Sequence, residues 1–451
     1  MFDILKFRGG EAEILRRALL EPAFGLIHVS GPQGMGKSDL VRAVLSGHEA
    51  SILNIPELPD MAQSKYWQVY FPELDERDWP EFFRQLAETY RERKGIIVLL
   101  NFQRLLRSAP RVEQSLRRAI REDFPETELK LIIVETYLSE EERDKSLARG
   151  FYQQAVTTRL ELEPLDYRAS SAVLAHWPAE EQLYGHSISG GRLPYLKRLA
   201  SFSNLKEAIQ AELLATDGML QQNVQAFLRA HLREPALYEL ELMAMAGGAS
   251  RQKEISEAAG LIPSSAANYL RVLLKLGLIT KRQPYRNVNP RLTRYEISEP
   301  IFRFAYHFLY RLDPLRQRGL LDEAFAIVEE KFYAYFARDF QEIARVYLLE
   351  LCAAGELPQD IDDFQPWWND EGIEIDLIGS NAETAVLAAC LWAEEKMDIE
   401  ALESLKRKSR YTQRRKNKIY FLFSRSGFSP ELIAAAESDA EVYLISLFGE
   451  A

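Results

Sequence analysis

Short apolar runs alternate with amphipathic stretches over the first third of the chain. Gly25–Ser30, Ser51–Ile55, Gly95–Leu100 and Leu129–Val134 are mostly apolar and too short for helices, which predicts strands buried on both faces. Glu11–Leu20, Lys37–Leu45, Glu81–Arg93 and Arg111–Arg121 repeat their apolar residues at helical spacing. Strands and helices in this alternation build a parallel sheet covered on both faces, so the expected class is α/β. Ligands of such sheets bind at the carboxyl ends of the strands, and the residues following each strand are where chemistry is to be sought.

The pattern then changes. Pro235–Ala246, Gln252–Ala259 and Ser264–Leu276 have helical periodicity, broken by Gly247-Gly248 and by Gly260-Leu-Ile-Pro263. Leu278–Gln283 and Leu292–Ile297 follow as a candidate hairpin, the element order of a winged helix. Pro300–Tyr310 is aromatic at helical spacing and predicts a core helix, with His307 structural within it because no second ligand stands at metal-binding spacing.

Composition narrows the class. At 451 residues, roughly two to four domains are expected. Cys352 and Cys390 are the only cysteines, too few for a disulfide framework, which fits a reducing compartment. No basic-then-apolar leader and no long apolar span is visible, so a cytoplasmic protein without a membrane partner is expected. The net charge of −11 argues against a surface that binds nucleic acid indiscriminately.

The stretch Gly31-Pro32-Gln33-Gly34-Met35-Gly36-Lys37-Ser38 follows the first strand and opens a helix through Asp39. That context is the one a phosphate-binding loop needs. Glycines let backbone N–H groups converge on phosphates, Lys37 reaches the β- and γ-phosphates, and the Ser38 hydroxyl is placed to ligate Mg²⁺. The helix N-terminus adds its positive end to the anion site. ATP and Mg²⁺ are the cofactors this predicts. The strand Ile96–Leu100 would be expected to end in an acid that orders the metal and a second that activates water; it ends instead in Leu100-Asn101-Phe102-Gln103. Glu135, directly after Leu129–Val134, offers a carboxylate at the same edge of the sheet. It reads either as a partial replacement for the missing acid or as a solvated loop or helix-start residue.

Taken together these segments resemble the archaeal-type ATPase family, a branch of the P-loop ATPases related to the signal-transducing NTPases and AAA+ proteins. Phe7-Arg-Gly-Gly-Glu-Ala-Glu13 is similar to the family's opening box, with Gly10 where an arginine is usual. Leu100-Asn101-Phe102-Gln103 stands where the family has Asp-Glu-Phe-Gln. Leu162–Leu165, Ser189-Gly-Gly-Arg-Leu-Pro-Tyr195 and Glu299–Phe304 complete the resemblance. It implies ATP binding and four domains: a P-loop core over 1–163, a helical lid over 164–232, a winged helix over 233–312 and a restriction-endonuclease-like domain over 313–451. Arg192 is implied to approach the γ-phosphate, with Arg149 and Arg159 as alternative arginine fingers.

In a DNA-reading winged helix, Ser264, Ser265, Asn268 and Arg271 would face the major groove while Leu270, Leu273 and Leu274 pack inside. Lys281, Arg282, Arg286, Arg291 and Arg294 on the wing would then meet phosphates. Protein contact is the other use of such a module. In the last domain the resemblance implies a helical Glu342 and a strand Asp376, but Ala389 and Leu391 replace the third motif's Glu and Lys, leaving a degenerate nuclease site. Glu394 and Lys396 form a Glu-x-Lys beyond that strand. The basic run 405–418 reads as a solvated face or as a phosphate-contacting patch. The expectation is an ATP-binding regulatory protein that engages DNA, a protein partner or itself, with weak or absent hydrolysis. A slow ATPase using Glu135 or an acid from another subunit, and a scaffold with a vestigial loop, are the alternatives.

Overall fold

The structure, a computed structural model, describes residues 3–74, 78–139, 142–143, 151–412 and 417–447. Arg149, and Arg414, Arg415 and Lys416 of the basic run, lie outside the described residues. The chain divides into two compact units, Met1–Phe202 with Leu274–Gly277, and Ser203–Leu273 with Leu278–Ala451. The expected lid segment 164–232 is thus split after Phe202.

In the first unit, β1 (Gly25–Ser30), β2 (Ser51–Asn54), β3 (Gly95–Leu100), β4 (Leu129–Val134) and β5 (Thr158–Glu161) form one sheet in the order β2-β3-β4-β1-β5. Every pairing is parallel. β1 and β4 are buried along their whole length, as their mostly apolar runs require. One face packs on an aromatic cluster in which Trp67 meets Phe82 and Phe83 edge-to-face at 5.8 and 5.7 Å. This geometry sets the positive ring edges against the π-faces and adds to the area buried. The fold class is therefore α/β with a parallel P-loop-type sheet, and β1 carries the loop out of the sheet's middle.

The second unit begins with helices; Pro235–Ala246, Gln252–Ala258 and Pro263–Lys275 precede the antiparallel pair β6 (Ile279–Arg282) and β7 (Arg294–Ile297), the strands of the expected wing. A long helix, Leu321–Ala354, buries Phe325, Val328, Phe332, Phe336, Phe340 and Ile343, a three-and-four spacing that makes one continuous stripe. Beside it stands a separate sheet of β8 (Gln365–Trp368), β9 (Glu374–Ser380), β10 (Thr384–Leu391), β11 (Asn417–Ser424) and β12 (Val442–Ser446), ordered β12-β11-β10-β9-β8. β8, β9 and β10 pair antiparallel; β10, β11 and β12 pair parallel. Trp392 closes the edge of this sheet against the long helix, its ring 4.6 Å from Phe336 and 4.9 Å from Phe340. Among the described residues, no helix is long and apolar enough to cross a membrane.

Candidate phosphate-loop site

The loop after β1 is shaped by backbone conformations that side chains resist. Gly36 sits at φ +81° and ends the loop as the N-cap of the helix Lys37–Val44; a Cβ there would come within 2.9 Å of both Leu193 and Ile4. Gly31 at φ +149° would place a Cβ 2.4 Å from the Leu162 carbonyl oxygen. Both positions therefore require glycine. Lys37 is buried and donates from Nζ to the carbonyls of Gly31 at 2.8 Å and Pro32 at 2.6 Å. Burial, with Arg192 nearby, pushes its pKa down to about 7, against the opposing pull of Glu135. Met35 is buried and anchors the loop, Ser38 is half-buried at the helix N-terminus, and Gln33 and Asp39 are exposed.

The Gly190-Gly191-Arg192-Leu193 segment braces the loop from the other side. Leu193 N donates to the Gly34 carbonyl at 3.0 Å, Arg192 donates to the Gln33 carbonyl, and Lys197 pairs with Asp39 at 3.0 Å. Arg192 thus stands at the loop. Arg159 donates to the Gln153 carbonyl at 2.8 Å on the surface. Arg8 is buried and spans from Glu11 at 2.8 Å to the Glu163 carbonyl, which ties the chain start to the segment after β5.

At the end of β3 the structure has no acid. Leu100 is buried, and Asn101 adopts φ +58°, a left-handed conformation that asparagine tolerates better than other side chains. Its Nδ2 donates to Asn54 Oδ1 at 2.7 Å, joining the ends of β3 and β2. Gln103 accepts from Thr136 N at 3.2 Å, so the second polar residue of this segment trims the end of β4. Glu135 is not a solvated loop residue: it is 4% exposed, and its Oε2 lies 3.1 Å from Nε2 of the equally buried His28. His28 was not foreseen from sequence. A single histidine in an apolar run reads as core, and its partner stands 107 residues away.

Comparison with known structures bears on the fold. A Walker-type ATPase of Pyrococcus abyssi is similar at 18% identity and a TM-score of 0.50, over 68% of this chain and 96% of that one. The fold is that of the P-loop ATPases. The ORC2 protein of Aeropyrum pernix is similar at 15% identity and a TM-score of 0.46, over 70% of this chain and 95% of that one. No curated protein matches the chain. Residues 305–404 match the family model DUF234, described as archaea bacterial proteins of unknown function. That match covers the long helix Leu321–Ala354 and strands β8 to β10 of the second unit.

In the second unit the expected DNA-contacting residues separate into two groups. Ser264, Asn268 and Arg271 are exposed on the helix Pro263–Lys275 and Ser265 is half-buried, while Leu270 and Leu273 are buried beneath them. The wing differs from the expectation of a free basic hairpin. Arg282 pairs with Glu296, Arg338 of the long helix joins the same carboxylate at 3.0 Å, and Arg294 pairs with Glu374 and lies 4.5 Å over the Trp368 ring. Arg286 donates to the Ser380 carbonyl at 2.8 Å, and Tyr285 is buried in the apolar core beneath β9 and β10. Arg291 remains exposed. This hairpin packs against the neighbouring sheet: Arg286 and Arg294 are held by groups of that sheet, and Arg282 by Glu296 of the hairpin itself.

Glu342 and Asp376 do come together, along one cleft of about 280 Å³. Both are engaged by neighbouring groups. Arg345 binds Glu342 at 2.7 Å, and the two oxygens of Asp376 accept from Gln341 Nε2 at 3.0 Å and from the Cys390 backbone N–H at 2.7 Å. Among the described residues no group of His, Cys, Asp and Glu side chains has a metal-binding arrangement. Of the basic run, Lys406 pairs with Asp439 at 2.7 Å, Arg407 with Glu400 at 2.6 Å, and Lys418 donates to the Ser409 carbonyl at 3.0 Å.

Proposed function

We propose that this chain is an ATP-binding regulatory protein in which nucleotide binding biases the arrangement of its domains and its engagement of DNA or a protein partner. The observation that carries this is the loop itself. Glycine-only backbone angles, a buried lysine and a helix N-terminus converge at Gly31–Ser38, while β3, separated from β1 by β4, is followed by an asparagine tied to another asparagine. A triphosphate would draw the Lys37 ammonium from its own loop carbonyls and accept hydrogen bonds from the backbone N–H groups of the loop. A Mg²⁺ accompanying the nucleotide would neutralise phosphate charge. It would find one oxygen ligand here, the Ser38 hydroxyl, because Leu100 and Asn101 carry no acid. Hydrolysis is then weak or absent. Calorimetric titration of the full-length protein with ATP tests the reading: binding is expected in the wild type and lost in Lys37→Ala, and equal binding by the two would refute it.

A slow ATPase is the second reading, favoured by the buried His28–Glu135 pair at the loop. For the second unit we propose recognition through the exposed face of the helix Pro263–Lys275, with the wing serving as a structural joint and the nuclease-like site inactive. The engaged carboxylates of the cleft support the last point.

A further inference from the structure

An imidazole in the middle of an apolar strand is costly unless it is partnered. His28 on β1 is partnered by Glu135, and both side chains are almost wholly out of solvent. An ionised carboxylate only accepts hydrogen bonds, so Nε2–H of His28 is the donor. The Glu135 backbone is fixed as well, its N–H donating to the Val29 carbonyl at 2.9 Å. β1 runs directly into the phosphate loop, and the Glu135 charge acts on Lys37 of that loop. The sheet edge that offers no acid from β3 therefore offers a carboxylate from β4.

We infer that His28 is a positioning residue that holds the Glu135 carboxylate at the phosphate loop, where Glu135 is the base for hydrolysis of the terminal phosphate. The inference rests on the nucleotide-binding reading above. In the step, a water oxygen bonds to the γ-phosphorus and the water's proton passes to Glu135. The bond from the γ-phosphorus to the β–γ bridging oxygen breaks, and its electron pair leaves with ADP. His28 touches neither nucleotide nor water. It acts by fixing one carboxylate oxygen, and releasing a base from its working position costs on the order of 10- to 100-fold in rate.

Full-length wild type, His28→Leu, His28→Asn, Glu135→Gln and the His28→Leu/Glu135→Gln double variant are compared by mant-ATP fluorescence anisotropy and by single-turnover hydrolysis. Affinity is expected to stay within about 3-fold throughout, since neither group is needed to grip phosphate. The His28→Leu rate is expected to fall roughly 10- to 100-fold. His28→Asn, whose amide still donates, recovers part of it, and His28→Leu adds nothing in the Glu135→Gln background because one residue acts through the other. In the nucleotide-free protein the ¹⁵N signals of the His28 ring are expected to move on Glu135→Gln. Should His28→Leu fail to fold, His28→Asn and Glu135→Gln carry the comparison. Unchanged turnover in the His28 variants, multiplying effects in the double variant, unmoved ring signals, or a wild type that binds mant-ATP without turning ATP over would overturn the inference and leave the nucleotide site standing. A wild type that does not bind mant-ATP would overturn both.

Discussion

The loop at Gly31–Ser38 and the cleft around Asp376 each gather polar groups at a sheet edge, and they hold them in opposite ways. At the loop the recognition elements are backbone N–H groups and glycine conformations, with one lysine whose present partners are its own loop carbonyls. A ligand can displace such contacts at small cost. In the cleft the recognition elements would have to be carboxylates, and each is engaged: Glu342 by Arg345, Asp376 by Gln341 and the Cys390 N–H, Glu374 by Arg294. A backbone-built site survives the drift of side chains around it. A side-chain-built site becomes structural as soon as neighbours satisfy its charges.

The largest expected effect falls on the loop. Lys37→Ala removes the only lysine of the loop, and ATP affinity should drop by about 100-fold or more, the size of a lost charge-assisted contact to phosphate. Thermal stability should not fall with it, because a lysine whose pKa burial has pushed down to about 7 is a net cost to the folded state when charged. Loss of binding together with loss of stability would mean that the lysine is structural, and the contrast with the cleft would disappear.

Asp376→Ala should do the reverse. It strips two buried donors of their acceptor, so the urea midpoint should fall by an amount corresponding to about 2–3 kcal/mol. Plasmid DNA incubated with Mg²⁺ or Mn²⁺ should remain intact with wild type and variant alike. Cleavage by the wild type that vanishes in Asp376→Ala would break the comparison, since the cleft would then be a working site.

Much of this contrast was legible from the chain, and what was not has physical reasons. Gly25–Ser30, Gly95–Leu100 and Leu129–Val134 are strands at the expected residues because they are buried on both faces and leave no ambiguity of period. β5 was not read: Thr158, Arg159 and Glu161 are polar, and Leu160 alone is buried, as befits an edge strand. Asn101 was recognisable as the wrong residue at the end of β3, yet its bond to Asn54 depends on strand order, which periodicity does not reveal. The wing misled for a related reason. Arg286 and Arg294 read as a basic surface because Ser380 and Glu374, their partners in the neighbouring sheet, lie about 80 to 95 residues further along.

Glu241 sharpens the comparison, because it is a buried carboxylate that lacks what Asp376 has. It is fully buried on the first helix of the winged-helix segment, and neither of its oxygens has a hydrogen-bond partner. Burial pushes its pKa up to about 8 from an ordinary 4.5. The unfolded chain therefore releases this proton near pH 4.5 while the folded chain keeps it until about 8, so stability falls as pH rises through that window and levels off above it. Tyr238 and Tyr295, its titratable neighbours, are themselves pushed upward, and His307 on the adjoining turn is pushed down, which leaves pH 7 to about 8.5 as the clean range for Glu241. Over that range the wild type should lose roughly 1–2 kcal/mol, and Glu241→Gln should show a flat profile. Matching slopes in the two proteins would mean that another group titrates.

The smallest effect separates the two faces of the winged-helix segment. Arg271 is exposed on the helix Pro263–Lys275 and donates to the Asn268 side chain at 2.8 Å, whereas Arg294 is held by Glu374 and the Trp368 ring. If DNA is the partner, Arg271→Glu should weaken binding of a fluorescent duplex by roughly 5- to 10-fold and lower the salt slope by about one, leaving the unfolding midpoint in place. Arg294→Glu should barely change DNA affinity and should lower the midpoint, because it sets two carboxylates together beside Trp368. The reverse assignment, with DNA binding lost through Arg294 and untouched by Arg271, would make the wing a reader that releases its hold on β9. Indifference of DNA binding to both would direct the exposed helix face to a protein partner.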